Sequence, residues 1–192
     1  TNGSFGKKGD RLNIDITAPD LSRFGFGLGG LLNTRGYISG DLKGGLETYE
    51  ADLSGEARAL RVGDAVNIRM LDFKLKGTPD INRPLAADIK GSHIALSGGA
   101  TVIDAVNLSL SGTGEQHRIH GSSSMALDGK PYKLEVNAAG GLNKDFNQWK
   151  GSVDTLDIGG AFNLKLQNRM NLEAGAERVS MSAARWSAMG GS

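Results

Sequence analysis

The chain has 192 residues, a net charge of +1 and no cysteine. Interspersed acids and bases leave no basic face for nucleic acid. The missing thiols exclude disulfides, thiolate zinc sites and cysteine nucleophiles.

Glycine accounts for 29 residues, proline for 4, and aromatics for only 6%. That composition fits neither a Pro-rich linker nor a thick aromatic core. No run of 18 apolar residues is present, so no helical membrane span is expected. The chain opens on "TNGSFGKKGD" and ends on "SAMGGS". It reads as one continuous section, 1–192, of a longer protein.

From the N-terminus, "LNIDI" puts Leu12, Ile14 and Ile16 on one side and Asn13 and Asp15 on the other. Pro19-Asp20 is placed to open a short turn. "FGFGLGGLL" comes next, with Phe24, Phe26 and Leu28 at alternate positions. "YISGDLKG" continues with Ile38, Gly40 and Leu42, and "YEADLSG" with Tyr49, Ala51 and Leu53. "VNIRM" gives Val66, Ile68 and Met70, after which "LDFKL" gives Leu71, Phe73 and Leu75. The apolar phase slips by one residue between Met70 and Leu71, which calls for a β-bulge or a corner there. "LAADI" supplies Leu85 and Ile89, "IALSG" Leu96, "VNLSLSG" Leu108 and Leu110, and "KLEVNA" Leu134 and Val136. Val153 lies in "GSVDT", Phe162, Leu164 and Leu166 in "FNLKL", and Met181 in "VSMSA".

Period two marks half-buried strands, each with one apolar and one wet face. Leu-x-Gly recurs at Leu42, Leu53, Leu75, Leu96, Leu110 and Leu127, suggesting strands that each end at a glycine turn. The fold expected is all-β: an elongated, curled, mostly antiparallel sheet with an apolar interior, the alternative being a β-sandwich. With no helices to cover it, one apolar face must close, double over or curl into a trough. Ile14, Ile16, Ile38, Leu42, Leu53, Ile68, Leu85, Ile89 and Leu96 are expected to line that trough. Leu108, Leu110, Leu134, Val136, Val153, Phe162, Leu164, Leu166 and Met181 continue the lining.

Catalytic chemistry finds little support. Gly25, Gly27 and Gly30 spell G-x-G-x-x-G, but the dinucleotide fingerprint needs a helix after it. The residues after this stretch, "LLNTRGYISGDLKGG", alternate like strand and are too glycine-rich for a helix. "HRIH" puts His117 and His120 three apart, which on a strand means opposite faces, so a shared metal is not expected. Ser122–Ser124 lie outside any G-x-S-x-G elbow. Asp10 and Asp15, or Glu47 and Glu50, read as a solvated face. Trp149 and Trp186 read as packing anchors at strand ends.

The order of motifs in the second half is more specific. "LSLSGTGEQHRIHG" contains G-T-x-x-x-H (Gly112, Thr113, His117), and "WKGSVDTLDI" contains W-x-G (Trp149, Gly151). "FNLKLQ" and "LEAGAERVSMSAARW" come after them, while "LNIDITAPDLSRF" and "GYISGDLKG" lead the first half. In this order the chain resembles the TamB family, part of the wider AsmA-like group, over residues 11–186. The family often has a Cys near the position of Arg185 and Trp186; this chain has none.

The resemblance implies a section of a long periplasmic β-structure anchored in the inner membrane, with a greasy interior. It implies association with TamA, an outer-membrane barrel, through the full-length protein. It implies roles in phospholipid movement between the membranes and in autotransporter assembly. Expected partners are therefore phospholipid acyl chains, a TamA-like barrel and outer-membrane protein clients, with no nucleic acid, cofactor, metal or catalytic residue. A chaperone-like scaffold holding unfolded β-strands by edge pairing is the competing expectation.

Overall fold

The computed structural model describes residues 1–45, 48–96 and 101–190. Its strands, in chain order, are β1 (Asn2–Gly3), β2 (Arg11–Ala18), β3 (Leu28–Ser39), β4 (Glu50–Val62) and β5 (Val66–Gly77). Then come β6 (Pro84–Leu96), β7 (Thr101–Thr113), β8 (His117–Leu127), β9 (Lys130–Leu142) and β10 (Gln148–Gly160). The chain finishes with β11 (Phe162–Leu166), β12 (Met170–Gly175), β13 (Val179–Met181) and β14 (Trp186–Gly190).

All fourteen strands belong to one antiparallel sheet, and β1 to β10 each pair with the next. The sheet is open and curled, as expected; the sandwich is not formed. At β10 it forks. Gln148–Val153 pairs with β12, whereas Asp157 and Ile158 pair with β11. A bulge between Val153 and Thr155 makes room for the split. Arg169 Nε donates to Asp154 Oδ1 at 2.6 Å beside it. One branch continues as β11–β14 and the other as β12–β13.

The phase slip is realised as a crease crossing several strands. Gly30 in β3 (φ 97°), Ala59 in β4 (φ 48°) and His93 in β6 (φ 50°) all sit in the left-handed region. Registers run Arg58↔Met70 then Leu60↔Ile68, Met70↔Ser92 then Ile68↔Ile94, and Ser92↔Ala105 then Ile94↔Ile103. Ala59, Arg69, His93 and Asp104 therefore occupy one line across four strands. β7 completes it with a register shift against β8 between Ile103 and Ala105. Each strand changes its apolar phase there. In β4, Ala51, Leu53 and Ala57 give way to Leu60 and Val62; in β6, Leu85, Ala87 and Ile89 give way to Ile94 and Leu96. The change keeps apolar side chains on one face where an unbroken strand would carry them through to the other.

Three local expectations are corrected. Leu42 does not extend β3, which ends at Ser39; Leu42 sits in a turn and is 66% exposed. The turn is built by Asp41, whose carboxylate accepts from Lys43 N–H and whose carbonyl accepts from Gly44 N–H. The alternation read through Phe24, Phe26 and Leu28 is absent as well. Leu21–Phe24 is a 3-10 turn capped by Asp20, which accepts from the Ser22 amide and hydroxyl. Gly25, Phe26 and Gly27 come next, all with positive φ, and Phe26 is 93% exposed. Third, Leu-x-Gly does not mark strand ends throughout. Gly44 and Gly129 lie in turns and Gly77 ends β5, but Gly55 and Gly112 lie within β4 and β7. Gly98 falls outside the described residues.

At the strand ends on the Arg11 side, adjacent loops are laced together. Glu115 N–H donates to Ile81 O and Leu142 N–H to Gly114 O. On the N-terminal side, Leu42 N–H donates to Gly6 O, and the Phe5 and Tyr49 rings meet at 5.7 Å.

Candidate apolar groove

Antiparallel register partners point to the same face of a sheet, so the pairings assemble rows of side chains across the strands. One row runs Leu53, Leu75, Ala87, Leu110, Ile119, Ala138, Val153, Met170. The next runs Gly55, Phe73, Ile89, Leu108, Gly121, Val136, Leu156. A third runs Ala57, Leu71, Gly91, Val106, Ser123, Leu134, Ile158, Leu164. These rows lie about 7 Å apart, two residues along a strand, and span most of the sheet.

The register brings together every residue assigned to the lining except Leu42. Ile14, Ile16 and Ile38 sit on this face in β2 and β3, because Ile38 opposes Ala51, the neighbour row of Leu53. Ile68 and Leu96 join it beyond the crease, and Leu85 lies opposite Gly112. Phe162, Leu166 and Met181 join it through β11 and β13. The opposite face carries Asn13, Asp15, Arg35, Glu56, Lys74, Asp88, Glu135 and Lys165, which is why it stays wet. Phe73, placed on this side by alternation but not assigned to the lining, also sits here. Ile94, Ile103, Met125, Leu156, Ile158 and Met170 line the face as well and were not singled out from the sequence. The phase changes at the crease and at Asp154 hide them from a simple alternation count.

This face is sheltered rather than covered. Every buried apolar strand residue belongs to it: Ala18, Ala57, Val153, Leu166 and Met170. The tightest cluster is Val153, Leu166 and Met170 at the fork, with Val136, Ala138, Leu156 and Leu172 against it. Among the described residues, no large side chain falls below 2% exposure. The accessible surface is 12182 Å² for 20.1 kDa. A compact protein of that mass exposes about 8,700 Å², so the sheet leaves roughly 3,500 Å² more in contact with solvent.

Glycines keep the floor of this face low. The Phe73 ring lies over Gly55, where an added Cβ would meet Phe73 Cζ at 2.7 Å. Trp149 lies over Gly140 and Gly151, and a Cβ on either would meet its ring at 2.5 Å.

Trp149 also explains two sequence motifs. Its Nε1–H donates to His117 Nε2 at 2.9 Å, and His117 Nδ1 contacts Thr113 O at 3.0 Å. An indole N–H can only donate, so Nε2 is the acceptor and Nδ1 carries the proton to the Thr113 carbonyl. His117, buried at 6% exposure, is thus held through both ring nitrogens. G-T-x-x-x-H and W-x-G meet in this clasp, which joins β7, β8 and β10 at one rim. Sequence reasoning saw both residues and missed that they touch, since the β8–β9–β10 register has no local sequence signal. His120 faces the other way, as expected, and contacts Asn137 Oδ1 at 2.7 Å. The G-x-G-x-x-G stretch leads into strand β3, so no helix N-terminus stands ready for a phosphate.

On the outer face, Glu50 accepts from Tyr37 Oη and from Arg83. The Tyr37 hydrogen bond and then the Arg83 one hold its carboxyl below the ordinary range. The same bond to Glu50 raises the Tyr37 phenol.

No curated protein and no solved structure matches this chain. A scan of protein families matches TamB, N-terminal domain, over residues 1–191. With that match spanning the open, one-sided β-sheet just described, the chain belongs to the TamB family.

Proposed function

We propose that the chain is a non-enzymatic section of a longer periplasmic protein anchored in the inner membrane, and that its apolar face carries phospholipid acyl chains between the inner and outer membranes. The observation behind this reading is the set of largely apolar rows with no layer over it among the described residues. Burying CH₂ groups there returns about 0.8 kcal/mol each. Aliphatic walls of Leu, Ile and Val grip any chain without reading its shape, which suits carriage better than selection. In this reading a TamA-like barrel receives the full-length protein at the outer membrane, where the pair supports outer-membrane protein assembly.

Photo-crosslinking side chains at Ile38 and Leu164 test it. Both positions face the apolar rows, whereas Lys165 faces the opposite side. Phospholipid captured at Ile38 and Leu164 is the expected result. Capture at Lys165 alone would sink the proposal. Polypeptide in place of lipid at the inner positions would transfer the assignment to the scaffold that holds unfolded β-strands of autotransporters and other outer-membrane proteins.

A further inference from the structure

We infer that the crease through Gly30, Ala59, Arg69, His93 and Asp104 is a hinge, and that the strip of sheet beyond it is a tab that opens and closes one long side of the apolar face. The tab comprises Leu60–Val62, Val66–Ile68, Ile94–Leu96 and Thr101–Ile103, with the first residues of β3.

Four observations converge on it. Along the line, the direct pairings of Ala59 with Arg69 and of Arg69 with His93 drop out of the ladders, although registers on both sides are in step. A ladder that loses contacts along one transverse line bends there most easily. Ala59 and His93 hold left-handed backbone that side-chain-bearing residues rarely adopt, and neither is a glycine. Such strain gathers where a segment switches between arrangements. The tab carries its own apolar patch, Leu60, Ile68 and Ile94, in register with Ile103 and Met125. Rotation about the crease therefore moves greasy surface over or away from the remaining rows. The anchoring is also uneven. β8 crosses the line without a positive-φ residue and pairs straight through Met125 with β9. At the other side, among the described residues, the tab tip meets only the short start of β3, through Leu28↔Val62, Gly29↔Arg61 and the Gly63 N–H to Gly27 O bond. The turn Gly63–Ala65 is thus the free corner and β8 the fixed one.

The chain has no cysteine, so spin labels at Asp64→Cys and Asn82→Cys report tab position alone. Both sites are exposed, one at the tab tip and one in the loop at the far end of β5. Tip and crease are about 13 Å apart at 3.3 Å per residue, so a 30° rotation moves the tip by about 7 Å.

The line from Asp64 to Asn82 runs along β5, so closing the tab shortens that distance by less than the tip travels. Pulsed-dipolar distances, measured without lipid, should show two populations. A59V with H93V disfavours the left-handed crease and should shift weight to the longer distance. A59G with H93G relaxes it and should shift weight to the shorter one, a sign reversal that general damage to the fold does not produce. A single narrow distance unchanged by either pair would overturn the hinge. Because no lipid is present, that outcome leaves the carriage reading to be judged by its own crosslinks.

Discussion

Glu50 shows how one carboxylate ties three elements and sets an acid limit. It accepts from Tyr37 in β3 and from Arg83 ahead of β6. Its pKa is depressed from an ordinary 4.5, so the folded state binds fewer protons than the unfolded one. The stabilisation is complete above about pH 4.5 and is lost as pH falls through the folded value. Glu50→Gln should flatten the acid limb of a urea-midpoint profile between pH 5 and pH 3 relative to the parent. The His117–Trp149 clasp is the second residue-scale device. Trp149→Phe keeps most of the ring but leaves His117 Nε2 buried without its donor, at a cost of about 1–3 kcal/mol. Gly140→Val drives a side chain into Trp149 and the Lys150 carbonyl, for a loss of about 3 kcal/mol in equilibrium unfolding. Much of this scale was legible: alternation put Leu53, Leu110 and Leu164 on the right face. Leu42 was misplaced because an Asx turn at Asp41 competes with the strand, and the hydrophobic pattern does not see that competition. The ring-on-glycine pairs escaped notice because they join strands that are distant in sequence.

Among the elements, the fork at β10 holds the best-packed cluster and is where truncation costs most. Met170→Ala or Leu166→Ala should lower stability by about 2–5 kcal/mol in chemical denaturation. The same change at Met181, 64% exposed, should stay within about 0.5 kcal/mol. Strand identity was readable from period two, and the Met70–Leu71 slip correctly announced a corner. Its extent was not readable. Each strand's own phase change looks like noise in isolation, and only alignment by register turns Gly30, Ala59, His93 and Asp104 into one line. In "FGFGLGGLL" the alternation suggests a bending strand. Consecutive left-handed residues at Gly25, Phe26 and Gly27 make it a tight turn instead, and glycine content alone does not separate the two.

For the whole molecule, the extra exposed area has a measurable signature. The unfolded chain exposes about 29,000 Å² at 20.1 kDa. Folding to 12182 Å² therefore buries about one-sixth less than a compact protein of equal mass would. The urea m-value of this chain should be lower by the same fraction. An m-value typical of a compact protein would mean that the apolar face is covered in solution. The open sheet also governs how the molecule can meet copies of itself. One lateral edge is blunted by a strand of two residues, β1, and the other divides into two diverging branches. The two residues of β1 pair only with Leu12 and Asn13, so among the described residues the outer side of β2 beyond Asn13 offers backbone N–H and C=O groups on which a further strand can be laid.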